Sequence, residues 1–304
     1  MKKFPVKSRL TAAALVFLAA VLCVIIQACS KTPSPSSPSN PTATPGTIAT
    51  ATITPTSTAT LTGLDVTGST TLSTGAFAYS YVYIHSGGTL TVNGAVTLNV
   101  TDYFTVDSGG SINGDGLGYI AGQGPGAPSS GLNSSGAGGH GGHGGAGNGA
   151  ANDSATAPAL MGSGGSYGNP ECISGTNSSG GGLLKIFVAS GFATINGIIS
   201  MNGMISCSSG FQGGGGGAGG TIYIIAPSIY GSGTMTANGG YGGAGGMGGT
   251  GDGGGGGIIV LSYHSTDTFP DANVSVAAGG PGYYMGMTPP GIAGTDGIFN
   301  KITF

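Results

Sequence analysis

Two histidines separated by two glycines, His140 and His143, have a spacing that could serve a metal ion. On a helix they would share one face, and imidazole is a common metal ligand. The surrounding stretch reads GGHGGHGG, however, and its three-residue period is that of polyproline II, in which three residues span about 9 Å. One ion with bonds of about 2 Å cannot reach both rings. We therefore expect no metal site and expect both histidines to be exposed.

Catalysis on polysaccharides is the second chemistry to weigh. Lyases that act on uronates need Lys or Arg beside the substrate, and hydrolases need clustered carboxylates. Beyond residue 29 the sequence has no Arg, three Lys and one Glu, Glu171. Asp102 and Asp107 flank a predicted strand, and Asp267 and Asp271 flank a predicted turn. Asp is common in turns and at strand ends. We expect no catalytic residue and no cofactor, and a polysaccharide-active enzyme is a minor alternative.

Glycine dominates the composition, with 67 of 304 residues. Glycine costs about 1 kcal/mol per helical position relative to Ala, which excludes a helical bundle. A sustained Gly-X-Y period with high Pro is missing, which excludes collagen. Charged residues make up 6% of the chain, and residues 29–304 carry three Lys against ten acidic residues, net −7. Nucleic acid is therefore excluded as a partner, and the sequence predicts an all-β fold.

Short runs of β-branched and aromatic residues fill the region after residue 61. Residues 81–84, 89–92, 96–98 and 103–106 have this character, and Gly-Gly or Asn-Gly pairs separate most of them. Such pairs allow the chain to turn within two or three residues. The pattern predicts strands of three to five residues with tight corners.

The second half of the chain repeats. Residues 182–188 match 220–225 and 257–261, and a second set, 197–203, 233–239 and 273–279, lies between them. A fixed period in this range indicates stacked units that cannot bury their apolar faces alone. Parallel strands with right-handed crossovers then give a right-handed parallel β-helix, which we assign to residues 61–304.

Glycine-rich excursions separate these repeats. Residues 239–249 read GGYGGAGGMGG, and a three-residue period with glycine on two faces would let extended chains pack side by side. Disordered linkers are the alternative. The GGX tracts resemble the glycine-rich bundles of some antifreeze proteins and phage tail-tip adhesins. That resemblance covers about a fifth of the chain.

The N-terminal region has the pattern of an export signal. Basic residues between 2 and 9 precede an apolar stretch, 10–26, which could also act as an uncleaved anchor. Ile26-Gln27-Ala28-Cys29 resembles the lipobox of bacterial lipoproteins, which implies that residues 1–28 are removed and Cys29 is diacylated. Ser30, in place of Asp, implies the outer membrane or cell surface of a bacterial envelope. Residues 29–60 are rich in Ser, Thr and Pro and should form an extended tether.

Taken together, these patterns predict a non-enzymatic, membrane-anchored protein that contacts glycans or other surfaces. The candidate contact residues are the aromatic side chains of the excursions: Tyr119, Tyr167, Phe211, Tyr241, Tyr283 and Tyr284. A self-assembling envelope component is the first alternative, because open strand edges pair with other chains. Ice binding is a weaker alternative, based on the Thr-x-Thr pairs Thr89/Thr91 and Thr234/Thr236.

Two cysteines remain after Cys29, Cys172 and Cys207. They occupy similar places in consecutive excursions, so stacking would bring them close together. An oxidising compartment permits a disulfide, and closing such a loop would stabilise the fold by about 4 kcal/mol on the chain-entropy model. Two buried free thiols are the alternative.

The anchor is tested by replacing the proposed acylation site. Cys29→Ser should abolish incorporation of radiolabelled fatty acid, because serine offers no thiol for acylation. Wild-type protein should take up label and begin at Cys29 when its mature N-terminus is sequenced. A labelled Cys29→Ser variant, or a wild type that retains residues 1–28, would contradict the lipoprotein interpretation.

Overall fold

A computed structural model describes residues 61–129, 135–147, 149–170, 177–246, 249–283 and 291–304. All of them lie in one unit, Ala59–Phe304. The described part is nearly all β, and no helix in it is long and apolar enough to cross a membrane. Two short 3-10 turns, Gly145–Gly147 and Asp271–Asn273, accompany the strands. The strands are β1 Leu64–Val66, β2 Ser69–Ile84, β3 Thr89–Val106, β4 Ser111–Asn113, β5 Leu183–Val188, β6 Phe192–Ile195, β7 Ile198–Ser200, β8 Thr221–Tyr230, β9 Thr234–Thr236, β10 Ile258–Asp267, β11 Val274–Ser275 and β12 Ile298–Thr303.

All the pairings between these strands are parallel, and they fall into three ladders. The first ladder joins the beginnings of β2 and β3 to β4, β7, β9 and β11. The second joins the middle of β2 and β3 to β5, β8, β10 and β12. The third joins β1, the ends of β2 and β3, β6 and the ends of β8 and β10. The chain therefore visits the ladders in the same order repeatedly.

Each ladder sends a column of apolar side chains into the core. In the first ladder Leu90, Ile112, Ile199 and Met235 are in register and fully buried. The corresponding columns are Leu98, Ile186, Ile224 and Leu261 in the second ladder and Val82, Phe104, Ala193 and Ile229 in the third. Strand alternation explains this arrangement, since every second side chain points to the same face.

The register confirms the alignment of residues 182–188, 220–225 and 257–261, because Leu183 and Ile258 both pair with Thr221. In the second set of repeats, the predicted alignment of 273–279 with 233–239 is wrong by one residue. Val274 pairs with Met235 and not with Thr234, since the 3-10 turn before it changes the spacing. The predicted break at Asn93-Gly94 was also wrong. These residues lie within β3, where the pairing shifts across a bulge opposite Ser73 and Gly75.

The glycine-rich excursions all leave after the first ladder and return at the second. They comprise residues 114–182, 201–220, 237–257 and 276–297. A polar column aligns their starting points. Asp115 accepts the N–H of Asn202 at 2.6 Å, Asn202 Oδ1 accepts the N–H of Asn238 at 2.7 Å, and Asn238 Oδ1 accepts the N–H of Ala277 at 2.8 Å. Successive excursions consequently begin side by side.

Backbone hydrogen bonds join the excursions at every third residue. The N–H groups of Gly213, Gly216 and Gly219 donate to the carbonyls of Gly249, Asp252 and Gly255 at 2.9–3.0 Å. Those of Gly203, Ser206 and Ser209 donate in the same way to Asn238, Tyr241 and Ala244. We call the joined segments the glycine bundle. Its members are residues 201–209, 213–220, 237–246, 249–257, 276–283 and 291–297.

The bundle has an outer layer of outgoing segments, 201–209, 237–246 and 276–283, and a second layer of returning segments. In the second layer 213–220 and 250–257 are buried, whereas 291–297 is partly exposed. Gly217 N–H donates to the Met204 carbonyl at 3.0 Å, Gly240 N–H to Gly217 at 2.8 Å, and Gly254 N–H to Gly240 at 2.9 Å. The two layers are therefore cross-linked through the backbone. At Gly254 a Cβ would lie against the carbonyl oxygen of Gly217, so only glycine allows this approach.

Gly254→Ala tests this packing. The added methyl group should push the Gly254 and Gly217 segments apart and lower the free energy of unfolding by about 2 kcal/mol, as overpacking does elsewhere. The matched control is Gly210→Ala, because a Cβ at Gly210 meets no atom within 4 Å. Chemical denaturation of both variants measures the difference. Equal stability of the two variants would contradict the close packing.

Candidate functional site

The outer layer of the glycine bundle presents side chains at every third residue. Its three segments, 201–209, 237–246 and 276–283, lie next to one another. Ser206 N–H donates to the Tyr241 carbonyl at 2.9 Å, and Gly242 N–H donates to the Gly280 carbonyl at 3.0 Å. Ile205 precedes the first donor, and Tyr241 precedes the second; both side chains are exposed. Together with Gly280, Ile205 and Tyr241 form one row across the layer.

The Tyr241 ring contacts its neighbour in the row through one edge. A Cβ added to Gly280 would be 2.6 Å from Cε1 and 2.9 Å from Cδ1 of the ring but 3.6 Å from Cζ, so the Cδ1–Cε1 edge of the ring lies against Gly280. The side chain is nevertheless 57% exposed. Tyr241 thus presents an exposed ring to solvent from a backbone that is hydrogen-bonded on both sides.

The six predicted contact residues occupy different environments. Phe211 and Tyr283 are exposed like Tyr241, with fractional exposures of 56% and 72%. Tyr283 follows Gly280 by three residues on the same segment of the outer layer. Tyr119 and Tyr167 are half-buried in the long first excursion, and Tyr284 lies outside the described residues. The structure brings Tyr241 and Tyr283 onto one layer and places Tyr119 and Tyr167 elsewhere.

His140 corrects one expectation, because its side chain is fully buried and not exposed. Nδ1 lies 2.9 Å from the Gly219 carbonyl oxygen, and Nε2 lies 3.4 Å from Asp153 Oδ2. Both ring nitrogens therefore face acceptors. His143 is exposed, as expected, and accepts the N–H of Ala151 at Nδ1. Within the described ranges, no group of three or more His, Cys, Asp and Glu side chains could hold a metal ion.

Asp153 anchors the loop that buries His140. Burial opposes ionisation of this carboxyl, but hydrogen bonds from His140 and from the N–H groups of Ser154, Leu160 and Ala159 outweigh it and lower the pKa of Asp153 to about 2. The loop covers the second ladder, where Thr221 Oγ1 donates to the Leu160 carbonyl at 2.8 Å. The pair of His140 and Asp153 therefore serves packing of the first excursion.

Three of the four aspartates considered for catalysis, Asp107, Asp267 and Asp271, have structural partners. Lys301 Nζ lies 2.5 Å from Asp267 and 2.7 Å from Asp271, and it donates to the Phe269 carbonyl at 2.6 Å. Burial alone would lower the pKa of Lys301, but the two carboxylates raise it above its ordinary value. Asp107 accepts the hydroxyl of Tyr83 at 2.9 Å. This hydrogen bond raises the pKa of the phenol.

The third ladder carries an aromatic row that the sequence analysis missed. Tyr81 and Tyr103 stack with ring centroids 5.2 Å apart, Tyr103 and Phe192 follow at 6.0 Å, and Phe192 and Tyr230 meet edge to face at 6.3 Å. Each ring in the stacked part covers the face of the next. The signal was present as aromatic residues in strands, but their alignment depends on the register across excursions of unequal length.

The cysteines and threonines singled out from the sequence are partly described. Cys207 is disulfide-bonded, whereas Cys172 and Cys29 lie outside the described residues, so the pairing of Cys207 with Cys172 stays a prediction. The pairs Thr89/Thr91 and Thr234/Thr236 belong to the same ladder. Between them the row contains Ile198 and the buried Ser200. It is therefore not a continuous exposed threonine array.

Comparison with protein-family models, with curated proteins and with solved structures finds no match for this chain.

The lowered pKa of Asp153 predicts acid sensitivity. An aspartate whose pKa is lower in the folded state stabilises the fold above its unfolded pKa of about 4, and this contribution is lost as the pH falls through about 2. Asp153→Asn should therefore be less stable at neutral pH and should lose less stability between pH 4 and pH 2. Thermal unfolding across this range measures both effects.

The matched control is Asp102→Asn, which replaces an exposed carboxylate and should keep the wild-type pH profile. The account of Asp153 fails if Asp153→Asn loses stability in acid as steeply as the wild type.

Proposed function

We propose that this chain is an exported, lipid-anchored protein of the bacterial cell surface that contacts glycans or other surfaces without catalysing a reaction. Cys29 would carry the lipid, and residues 29–60 would hold the folded body away from the membrane. The observation that carries the contact role is the exposure of Tyr241 and Tyr283 on the hydrogen-bonded outer layer, together with the exposed Phe211 between the segments 201–209 and 213–220.

The proposed body is a right-handed parallel β-helix. Three ladders of parallel strands visited in a constant order, with apolar columns in register inside, are what such a solenoid requires. Right-handedness follows from the crossover rule for parallel strands. The proposal also takes the excursions as polyglycine chains in the polyproline II conformation, which the three-residue hydrogen-bond period supports.

A contact role fits this framework because hydrogen bonds to neighbouring segments hold its backbone. Association costs less when the contacting side chains are already held in place. In the glycine bundle the backbone on each side of Tyr241 is hydrogen-bonded to a neighbouring segment. Aromatic side chains are also the residues most enriched at binding surfaces.

The non-enzymatic part of the proposal is supported by the use made of the charged residues. Asp153, Asp267 and Asp271 hold loops and a strand together through hydrogen bonds and ion pairs. Lys185 lies on the second ladder beneath the loop of Asp153, and burial lowers its pKa. These contacts give Asp153, Asp267 and Asp271 structural roles.

The proposal is tested in bacteria that produce the full chain. On intact cells, protease should remove the body, and wild-type cells should adhere to immobilised glycans more strongly than cells producing Cys29→Ser. The comparison isolates the anchor, because both chains share the same body. A body that is digested only after lysis, or purified protein that releases reducing ends from polysaccharides, would contradict the proposal.

A further inference from the structure

We infer that the outer layer of the glycine bundle binds a neutral polysaccharide, which stacks on the exposed Tyr241 ring. The inference rests on the proposed contact function and names its ligand class and its site. We call the site the Tyr241 face and define it by Ile205, Ser208, Tyr241, Gly280 and Tyr283.

The geometry of Tyr241 favours stacking by a flat ligand. The ring is 57% exposed and contacts Gly280 only through its Cδ1–Cε1 edge. The face of such a ring is the surface that the C–H groups of a sugar contact. The backbone hydrogen bonds at Ser206 and Gly242 hold the segment in place, so little backbone freedom is lost on binding.

The exposed rings of the third ladder do not offer the same surface. Tyr81 and Tyr103 lie 5.2 Å apart with an angle of 9° between their planes, so each uses a face against the other. Phe192 is 43% exposed but packs between Tyr103 and Tyr230. This row stabilises the ladder by cross-strand stacking, and it serves as an internal control, because its exposed rings pack against one another.

The neighbours of Tyr241 combine apolar and polar groups. Ile205 is 54% exposed in the same row, and Tyr283 is three residues from Gly280. Ser208 Oγ accepts the N–H of Ala244 at 2.9 Å and retains its own O–H for donation. Aromatic and aliphatic surface with a few polar groups is typical of sites that bind small molecules and sugars.

Charge complementarity selects a neutral ligand. The three outer segments, 201–209, 237–246 and 276–283, contain no Asp, Glu, Lys, Arg or His. Phosphates and uronates would lose hydration on this face without gaining an ionic partner. The carboxylate that borders it, Asp296, accepts the N–H of Ala278 at 2.9 Å and would repel them. Side-by-side extended segments also form a flat surface, which suits an extended polymer better than a compact ligand.

The test is sedimentation of the purified full chain, in detergent micelles, with suspended cellulose as a neutral polysaccharide. Wild-type protein should bind, and Tyr241→Ala should bind about tenfold more weakly, which is the loss expected for one aromatic contact. Tyr241→Phe should bind within about twofold of wild type because the ring face is retained. Tyr241→Leu keeps an apolar cover over Gly280 and should lose binding like Tyr241→Ala.

Phe192→Ala is the matched control, since it removes an exposed ring outside the Tyr241 face, and it should bind like wild type. The inference is overturned if folded wild type does not bind cellulose, if Tyr241→Leu binds as tightly as wild type, or if calcium alginate, an anionic polysaccharide, binds equally well. Circular dichroism and denaturation midpoints show that each variant is folded. If one of these results is obtained while the body is still exposed on intact cells and the cells still adhere, this inference is overturned and the proposed function stands.

Discussion

The structure depends on backbone hydrogen bonds between chains that approach too closely for side chains. Gly217 donates to Met204, Gly240 to Gly217, and Gly254 to Gly240, so four successive segments are linked through the backbone. Glycine has the largest conformational entropy to lose on folding, and one hydrogen bond offsets only about 1 kcal/mol. Order in such a bundle therefore has to come from many hydrogen bonds that form together, in a lattice where each segment has neighbours on several sides.

The strands give this lattice its alignment. The apolar columns of the three ladders fix the register between successive repeats. The column of Asp115, Asn202 and Asn238 makes adjacent excursions begin at matching positions. From that common start, a period of three residues keeps the segments in register. Side chains at every third position then form rows across the outer layer, which is how Ile205, Tyr241 and Gly280 come together although each belongs to a different repeat.

Some of this arrangement could be predicted from the sequence, because repeats and glycine periods are local patterns. The alignment of Leu183, Thr221 and Ile258 follows directly from matching repeats. The burial of His140 could not be predicted, since it depends on Asp153 and a loop that folds back over the second ladder. The stacking of Tyr81 on Tyr103 was missed for a similar reason. It depends on register between strands, which the local composition does not specify.

Amide hydrogen exchange, resolved by residue, tests the central claim that the glycine bundle is an ordered hydrogen-bonded structure. The amides of Gly216, Gly219, Gly240 and Gly254, which donate to neighbouring segments, should exchange as slowly as amides in the buried strands, because exchange then requires opening of the lattice. Exchange of these amides at the rate of an unstructured glycine-rich peptide would contradict the account.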